Sequence, residues 1–412
     1  MKEDYDFFAG IDWGESTSAV CVLDGAGKLL EELTVGHSGE AMERFFEALV
    51  RLCGGRPERV AVSIEVPRGA LVEGLIERGF AVHSINPKQL DRFRDRHTVA
   101  GAKDDRRDAF VLADSLRTDM PLFRCLKLDD PEVLQLREFS RLHDDLTEEF
   151  RRLANRLRQQ LHRYFPQVLT LSPAADESWA WELLRLAPTP AEAPRLSPRR
   201  LGKILKSHRI RRFDLIQVAE ALCAPALPVA PGVVQAASGH VRVLLAQIEL
   251  IDRQLKDCDR DLKTLLDQMQ AEGEKPEHRG VAILLSLPGI GRFVAATMLA
   301  EAHEPLANAD YSALRSLAGV APVTRQSGKG RRVVMRRACN RRLRNAVYHM
   351  ALVFMQRDPD GRTRYLSQRA KGHSHGRALR SLADHLLRIV SAMLRSGTLY
   401  APPYPAAAAV DL

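Results

Sequence analysis

The hydrophobic period of this chain changes once, near residue 126, and that change decides what it can fold into. Before it, apolar residues come in short runs: Phe7–Ile11, Ser18–Asp24, Leu29–Val35, Val60–Val66 and Ala81–Asn86. Runs of this length bounded by turn residues predict strands. The second and third are joined by Asp24-Gly25-Ala26-Gly27, which is hairpin chemistry. Val60–Val66 is continuous enough for a strand buried on both faces. Helices are expected at Gly39–Cys53, where Met42, Phe45, Phe46 and Leu49 share a face, at Gly69–Arg78 and at Arg106–Leu116. Residues 1–125 therefore read as an α/β domain.

After the change, apolar residues recur every three or four. Phe139, Leu142, Leu146, Phe150, Leu153, Leu157, Leu161 and Tyr164 form one stripe. Val241, Leu244, Ile248, Ile251, Leu255, Cys258, Leu262, Leu265 and Met269 form another. Each predicts a long amphipathic helix with a coiled-coil seam. Roughly 35 residues at 1.5 Å each give a rod of about 50 Å. An antiparallel hairpin, pairing between protomers, or both would satisfy the two stripes. The expected organisation is α/β plus all-α. Residues 126–275 form a coiled-coil and linker region with a Pro-rich insertion, in which Leu171–Arg200 is expected to be looped. Residues 276–400 form a mostly helical C-terminal domain, and 401–412 a Pro/Ala-rich disordered tail. The six cysteines are scattered without a C-x-x-C pair, against both zinc staples and a disulfide framework. The acidic N-terminus does not read as a signal peptide, and no uncharged apolar run reaches bilayer length. A soluble cytoplasmic protein is expected.

Four carboxylates carry the chemistry. Asp12 lies in the first strand-like run, Glu65 ends the fourth, and Asp105 and Asp108 share one face at the start of a predicted helix. Such elements can bring the four together. An all-oxygen set suits Mg²⁺ or Mn²⁺ rather than zinc. Two-metal sites, with ions roughly 3.5–4 Å apart, stabilise both the attacking and the leaving oxygen of an in-line displacement. Lys103 and Arg106 flank the acids and could touch phosphate oxygens. Ordinary surface acids are the competing reading, as is an actin-like kinase hairpin around GIDWGES, although no Gly-rich adenosine segments follow.

The chain carries a formal charge of +9. Between Tyr311 and Arg357 it has eleven Lys or Arg and no Asp or Glu. A stretch of one sign favours a polyanion partner over a solvated face of alternating sign. Arg325, Lys329, Arg331, Arg332, Arg336, Arg337, Arg341, Arg342 and Arg344 are the candidate nucleic-acid contacts. Ser327 lies in a flexible Gln-Ser-Gly-Lys-Gly loop among them. Without a local base it reads more naturally as a phosphate-binding hydroxyl than as a nucleophile. Upstream, Pro288-Gly289-Ile290-Gly291 resembles the hairpin of a helix–hairpin–helix, where Gly289 and Gly291 would let backbone N–H groups approach phosphate. A plain packing turn is the equal alternative. His373 and His375 form an H-x-H pair that reads as a loop.

Taken in order, these motifs resemble the insertion-sequence transposases of the family numbered one hundred and ten. The resemblance covers nearly the whole chain. It rests on GIDWG around Asp12, the strand-end Glu65, and KDDRRDA at Lys103–Ala109, which is similar to the family's K-T-D-R-x-D-A. LPGIG, AGVAP, QSGK and NRRLRNA follow in family order. The meander of three strands followed by alternating helix and strand is also the ribonuclease H-like order. The resemblance implies a RuvC-like DEDD domain whose metal ligands are Asp12, Glu65, Asp105 and Asp108. It also implies a C-terminal transposase domain in which Ser327 attacks the scissile phosphate and becomes joined to a DNA 5′ end. It further implies guidance by a structured non-coding bridge RNA that pairs with donor and target DNA; a dimer or tetramer is expected, since two duplexes must be cut and exchanged. One departure stands out. Cys339 occupies the position of a family glycine in Arg337-Ala338-Cys339-Asn340, which puts that loop's close backbone approach in doubt.

The sequence therefore predicts a Mg²⁺-dependent site-specific recombinase of an insertion sequence. The rivals are a RuvC-like nuclease that hydrolyses junctions with metal-activated water, and a non-catalytic nucleic-acid-binding protein with a decayed acidic site.

Overall fold

The computed structural model describes residues 5–97, 104–126, 130–271, 276–328 and 330–401. The chain forms two compact units, Met1–Asp129 and Asp130–Leu412.

The first unit is a six-stranded sheet with helices on both faces. Its strands are β1 (Phe7–Trp13), β2 (Thr17–Asp24), β3 (Leu29–Gly36), β4 (Val60–Ile64), β5 (Ala81–Ser84) and β6 (Arg124–Cys125), in the order β3-β2-β1-β4-β5-β6. β1 pairs antiparallel with β2 and parallel with β4; β4 pairs parallel with β5. The helices are α1 (Gly39–Leu52), α2 (Ala70–Glu77), α3 (Pro87–His97) and α4 (Asp105–Asp119). Side chains of a strand alternate between faces, and β1 uses both. Ala9 and Ile11 pack with Phe45, Phe46 and Leu49 of α1 and Leu71 and Leu75 of α2. Phe8 packs with Val111, Leu112 and Leu116 of α4 on the other side.

That second face holds α4 very close. A Cβ placed on Gly10 would lie 2.0 Å from the Ala109 carbonyl oxygen and 2.5 Å from the Ala113 nitrogen. Only a glycine on the strand, opposite the two alanines of the helix, allows the backbones to meet. Asp12 stands two residues beyond Gly10 and so on the same, α4-facing side of β1.

The second unit is helical. Its two long helices are α5 (Pro131–Tyr164) and α10 (Pro231–Ala271). They run antiparallel within one chain: the Cys258 Sγ–H donates to the Phe139 carbonyl, while Leu153 and Leu157 share a core with Leu244 and Ile248. The segment between them is only in part the loop expected for Leu171–Arg200, because α-helices interrupt it. It forms a helical head of α6 (Gln167–Leu171), α7 (Ser178–Leu186), α8 (Pro198–Ser207) and α9 (Leu215–Cys223). One of its prolines marks a helix start. Pro198 opens α8 behind Ser197, whose hydroxyl accepts from the Arg200 N–H. Trp179 and Trp181 are buried in the head's core, and the Tyr164 hydroxyl donates to the Pro188 carbonyl at 2.8 Å.

Beyond α10 come α11 (Pro276–Ser286), α12 (Arg292–Glu301), α13 (His303–Ala307), α14 (Tyr311–Leu317), a hairpin of β7 (Pro322–Ser327) and β8 (Gly330–Met335), then α15 (Arg341–Arg357), α16 (Pro359–Ala370) and α17 (His375–Ser396). The start of α5 and the end of α10 share a core with α11, α12, α15 and α17. No described helix is long and apolar enough to cross a membrane. The predicted tail, apart from Ala401, lies outside the described residues.

Candidate metal centre and nucleic-acid interface

The register of the parallel pair β1/β4 matches Ile11 with Ile64. Asp12 and Glu65 therefore stand side by side, one residue beyond that pair. Asp105 and Asp108 lie in the first turn of α4, whose N-cap is Asp104. The Gly10 contact draws that turn toward β1. The four carboxylates are near enough to feel one another. Burial pushes the Asp12 carboxyl up to about 6, and the charges of Asp108, Asp105 and Glu65 add to the effect. Asp108 is almost fully enclosed.

A cation already serves this cluster. Arg94 of α3 donates from Nε to Asp108 Oδ1 at 2.8 Å and from Nη2 to Oδ2 at 2.9 Å. Its guanidinium also lies 3.7 Å from Glu65 and 2.8 Å from Asp91. Burial disfavours the charge on Arg94, but its bonds to Asp108 and Asp91 hold it above its ordinary value. Both Asp108 oxygens are engaged by Arg94, and no group of three or more His, Cys, Asp or Glu side chains among the described residues is arranged to hold a metal ion. The donor chemistry nonetheless fits a hard divalent cation, and Arg94 supplies the positive charge that the acids require.

Sequence reasoning missed Arg94, and also Trp13. The Trp13 ring stacks on His37 with centroids 4.0 Å apart and planes 11° apart. His37 in turn shares a 3.0 Å hydrogen bond with Ser18. The tryptophan in GIDWG was the available signal. Lys103 lies outside the described residues. Arg106 is exposed on α4.

In the second unit, Ser327 is not in a flexible loop. It ends β7 and pairs with Gly330 across a tight hairpin, with Arg325 paired to Arg332 two steps further in. Directly opposed residues of an antiparallel pair share a face, as do residues two apart on one strand. Ser327, Arg325 and Arg332 therefore stand on one side of the hairpin, and all three are exposed. Among the described residues nothing hydrogen-bonds the Ser327 hydroxyl. Lys329 lies outside the described residues, and Arg331 falls within β8.

The remaining candidate cations divide. Arg337 and Arg341 are exposed, and Arg336 is half-buried with its Nε unpaired. Arg342 is engaged within the fold, 3.0 Å from Asp145 and 3.6 Å from Asp144 of α5. Arg344 donates to Cys339 Sγ at 3.7 Å. Cys339 packs where a Cβ on Gly319 would come within 2.8 Å of its sulfur, so the neighbouring turn accommodates the departure. Asn340 caps α15 and donates to Glu301 at 2.6 Å. Burial would raise the Glu301 carboxyl, but its bonds from Arg141 and Asn340 hold it below the usual range. This buried link fixes where the hairpin segment enters α15.

Gly289 has a positive φ of 95°, and a Cβ there would lie 2.6 Å from the Met350 carbonyl oxygen. Its close approach is thus to the backbone of α15, as the packing alternative requires. Gly291 is open and caps α12. His373 and His375 do not converge: one bonds Gln368, the other Tyr365.

Comparison with known proteins bears on both units. Residues 9–166 match the DEDD transposase family of IS110, and residues 281–366 match the family described as Transposase IS116/IS110/IS902. The chain belongs to this transposase family. The first match contains all four acids and the second contains Ser327 with its arginines. A protein of the IS117 mini-circle of Streptomyces coelicolor, named as a transposase, is 33% identical over 92% of each chain. The IS116 protein of Streptomyces clavuligerus is 30% identical over 97% of each. A transposase-named protein of Sinorhizobium fredii is 47% identical, with the match spanning 52% of this chain and 60% of that relative. As an IS110-family transposase, the chain is an enzyme that cleaves and recombines DNA.

Proposed function

We propose that this transposase breaks and rejoins DNA through Ser327, with the four carboxylates of a RuvC-like, ribonuclease H-like unit as its metal-binding half. The observation that carries the reading is the exposed Ser327 hydroxyl flanked on one strand face by Arg325 and Arg332. The cations hold the scissile phosphate and offset the charge that develops on its oxygens. The Ser327 Oγ–P bond forms as the P–O3′ bond breaks. The hydroxyl proton passes to solvent or a base, the departing 3′ oxygen takes up a proton, and the DNA 5′ phosphate remains on the serine. Attack by a 3′ hydroxyl on that ester restores a phosphodiester without ATP. Held by Asp12, Glu65, Asp105 and Asp108, Mg²⁺ or Mn²⁺ would supply Lewis-acid polarisation of phosphate oxygens. The open arginines suit backbone contacts. With its resemblance to bridge-RNA recombinases, this supports target and donor choice by a non-coding RNA and action as a dimer or tetramer on two duplexes.

The Ser327 hydroxyl favours one rival, hydrolysis by metal-activated water, since among the described residues no base is hydrogen-bonded to it. One substitution separates the two. Ser327→Ala should abolish the covalent protein–DNA adduct and lower strand cleavage by at least ~10³-fold, on the scale seen when a nucleophile is removed. Cleavage at the parent rate in that variant would establish hydrolysis instead.

A further inference from the structure

The helical head between α5 and α10 carries a charged surface that neither the acids nor the hairpin use. Residues 193–213 contain eight Lys or Arg and no Asp or Glu. α8 buries Leu201, Ile204 and Leu205. That places Arg199, Lys203 and Lys206, spaced four and three apart, on its exposed side. The turn that follows adds Arg209 and Arg211, both exposed. Among these cations Arg212 has an acidic partner, Glu177 at 2.6 Å. The five exposed residues just named have no ion-pair partner among the described residues. Like charges on successive turns of one helix repel, and a face serving only solubility would mix signs.

The shape of the surface narrows the partner. Phe213, the one aromatic ring in the run apart from His208, is half-buried with the Arg212 guanidinium 5.1 Å from its centroid. Trp179 and Trp181 lie in the core. Single strands are held by stacking bases on exposed rings, and this surface offers none. From Arg199 to Lys206 the helix rises about 10 Å, which spans about three phosphates of one duplex strand.

We propose that the outer face of α8 and the turn after it form a second docking surface for duplex DNA. It grips the phosphate backbone without reading bases, and it works independently of Ser327 and of any metal. In a transposase that handles two duplexes, such a surface adds affinity without altering sequence choice.

The test uses the full chain and a blunt DNA duplex of arbitrary sequence, with affinity measured across a salt series. The variant Arg199→Gln/Lys203→Gln/Lys206→Gln should reduce the slope of log K against log salt by about 2.7, at about 0.9 per phosphate contact. Circular dichroism and thermal melting check that the head remains folded. Arg209→Asn/Arg211→Gln is the second variant, since Arg209 has a φ of 54°, which asparagine adopts readily; its expected loss is about 1.8. Should the triple variant unfold, this pair decides. Parent slopes in the folded variants would overturn the proposal. So would slopes that fall for an RNA duplex while those for DNA stay unchanged.

Discussion

The acid centre and the arginine hairpin solve opposite electrostatic problems. In the first unit, four carboxylates sit in a partly enclosed cluster, and the fold answers with its own cation, Arg94, bidentate on Asp108. In the second, Arg325 and Arg332 stand directly opposite each other on an exposed hairpin without an acid between them. A buried charge must be compensated by the chain itself, because water is not there to do it. An exposed charge can wait for a ligand. The contrast suggests that the acid centre exchanges one cation for another, whereas the hairpin is completed only by phosphate.

The scaffold of the acid centre is the most fragile part of this comparison. Gly10→Ala would drive a methyl into the Ala109 carbonyl, 2.0 Å away. Backbone on both sides leaves little room to yield. The expected loss is on the order of 3 kcal/mol, read from urea unfolding of the first unit. Hairpin-dependent DNA affinity should survive where that unit remains folded. Parent-like stability would mean that β1 and α4 separate easily, and that the acids are not held by this contact.

Arg94→Met tests the exchange directly. Removing one partner of an enclosed ion pair leaves its carboxylate uncompensated, so the metal-free variant should lose about 2–3 kcal/mol. Calorimetric titration should show it binding Mg²⁺ more tightly than the parent does, because the metal no longer displaces a guanidinium. Weaker binding would mean that Arg94 supports the site instead of occupying it.

What the sequence disclosed follows the same division between enclosed and exposed. β1, β2, β4, β5, α1, α2 and α4 are legible because each buries apolar side chains, and Asp12 and Glu65 stand at the ends of two such runs; β3 is legible from its hairpin turn, whereas β6 is two exposed residues without an apolar signal. α3 was missed: PKQLDRFRDRH is too polar to betray a core-facing side, yet it delivers Arg94 to Asp108. The β7–β8 hairpin was missed for a related reason. Thr324, Arg325, Gln326 and Ser327 bury neither face, so no period of two appears in hydrophobicity. The head is only partly legible because its Pro and Ala read as loop chemistry, although Pro198 begins a helix and Trp179 and Trp181 anchor the core. Composition alone could not distinguish a proline that starts a helix from one that ends it.

The acid cluster should also declare itself in pH. Burial, reinforced by the neighbouring carboxylates, pushes the Asp12 carboxyl from the ordinary carboxylate range up to about 6 in the folded chain. The folded state thus holds this proton more tightly than the unfolded state does. Stability from this group is full below about pH 4, declines as pH rises towards 6, and stays reduced above it. Asp12→Asn removes the charge. The metal-free variant should therefore match the parent near pH 4 and exceed it by about 1–2 kcal/mol at pH 8. A gap that does not change with pH would show that neither burial nor the neighbouring carboxylates disfavour the Asp12 charge in the folded chain.

Arg332→Gln brings the smallest change and bears on the other half of the contrast. Like charges opposed across an antiparallel pair are unfavourable. Neutralising one of them should leave the free protein slightly more stable, by about 0.2–1 kcal/mol, even as its salt slope for DNA falls by about 0.9. Arg94→Met should do the reverse, weakening the metal-free fold while improving the hold on its ligand. In each case stability and binding move in opposite directions, because a cation that satisfies the fold obstructs the ligand and one that serves the ligand strains the fold. If Arg332→Gln lost both stability and DNA affinity, the arginine would have an internal partner. The hairpin would then be compensated like the acid centre, and its reading as an open phosphate site would fail.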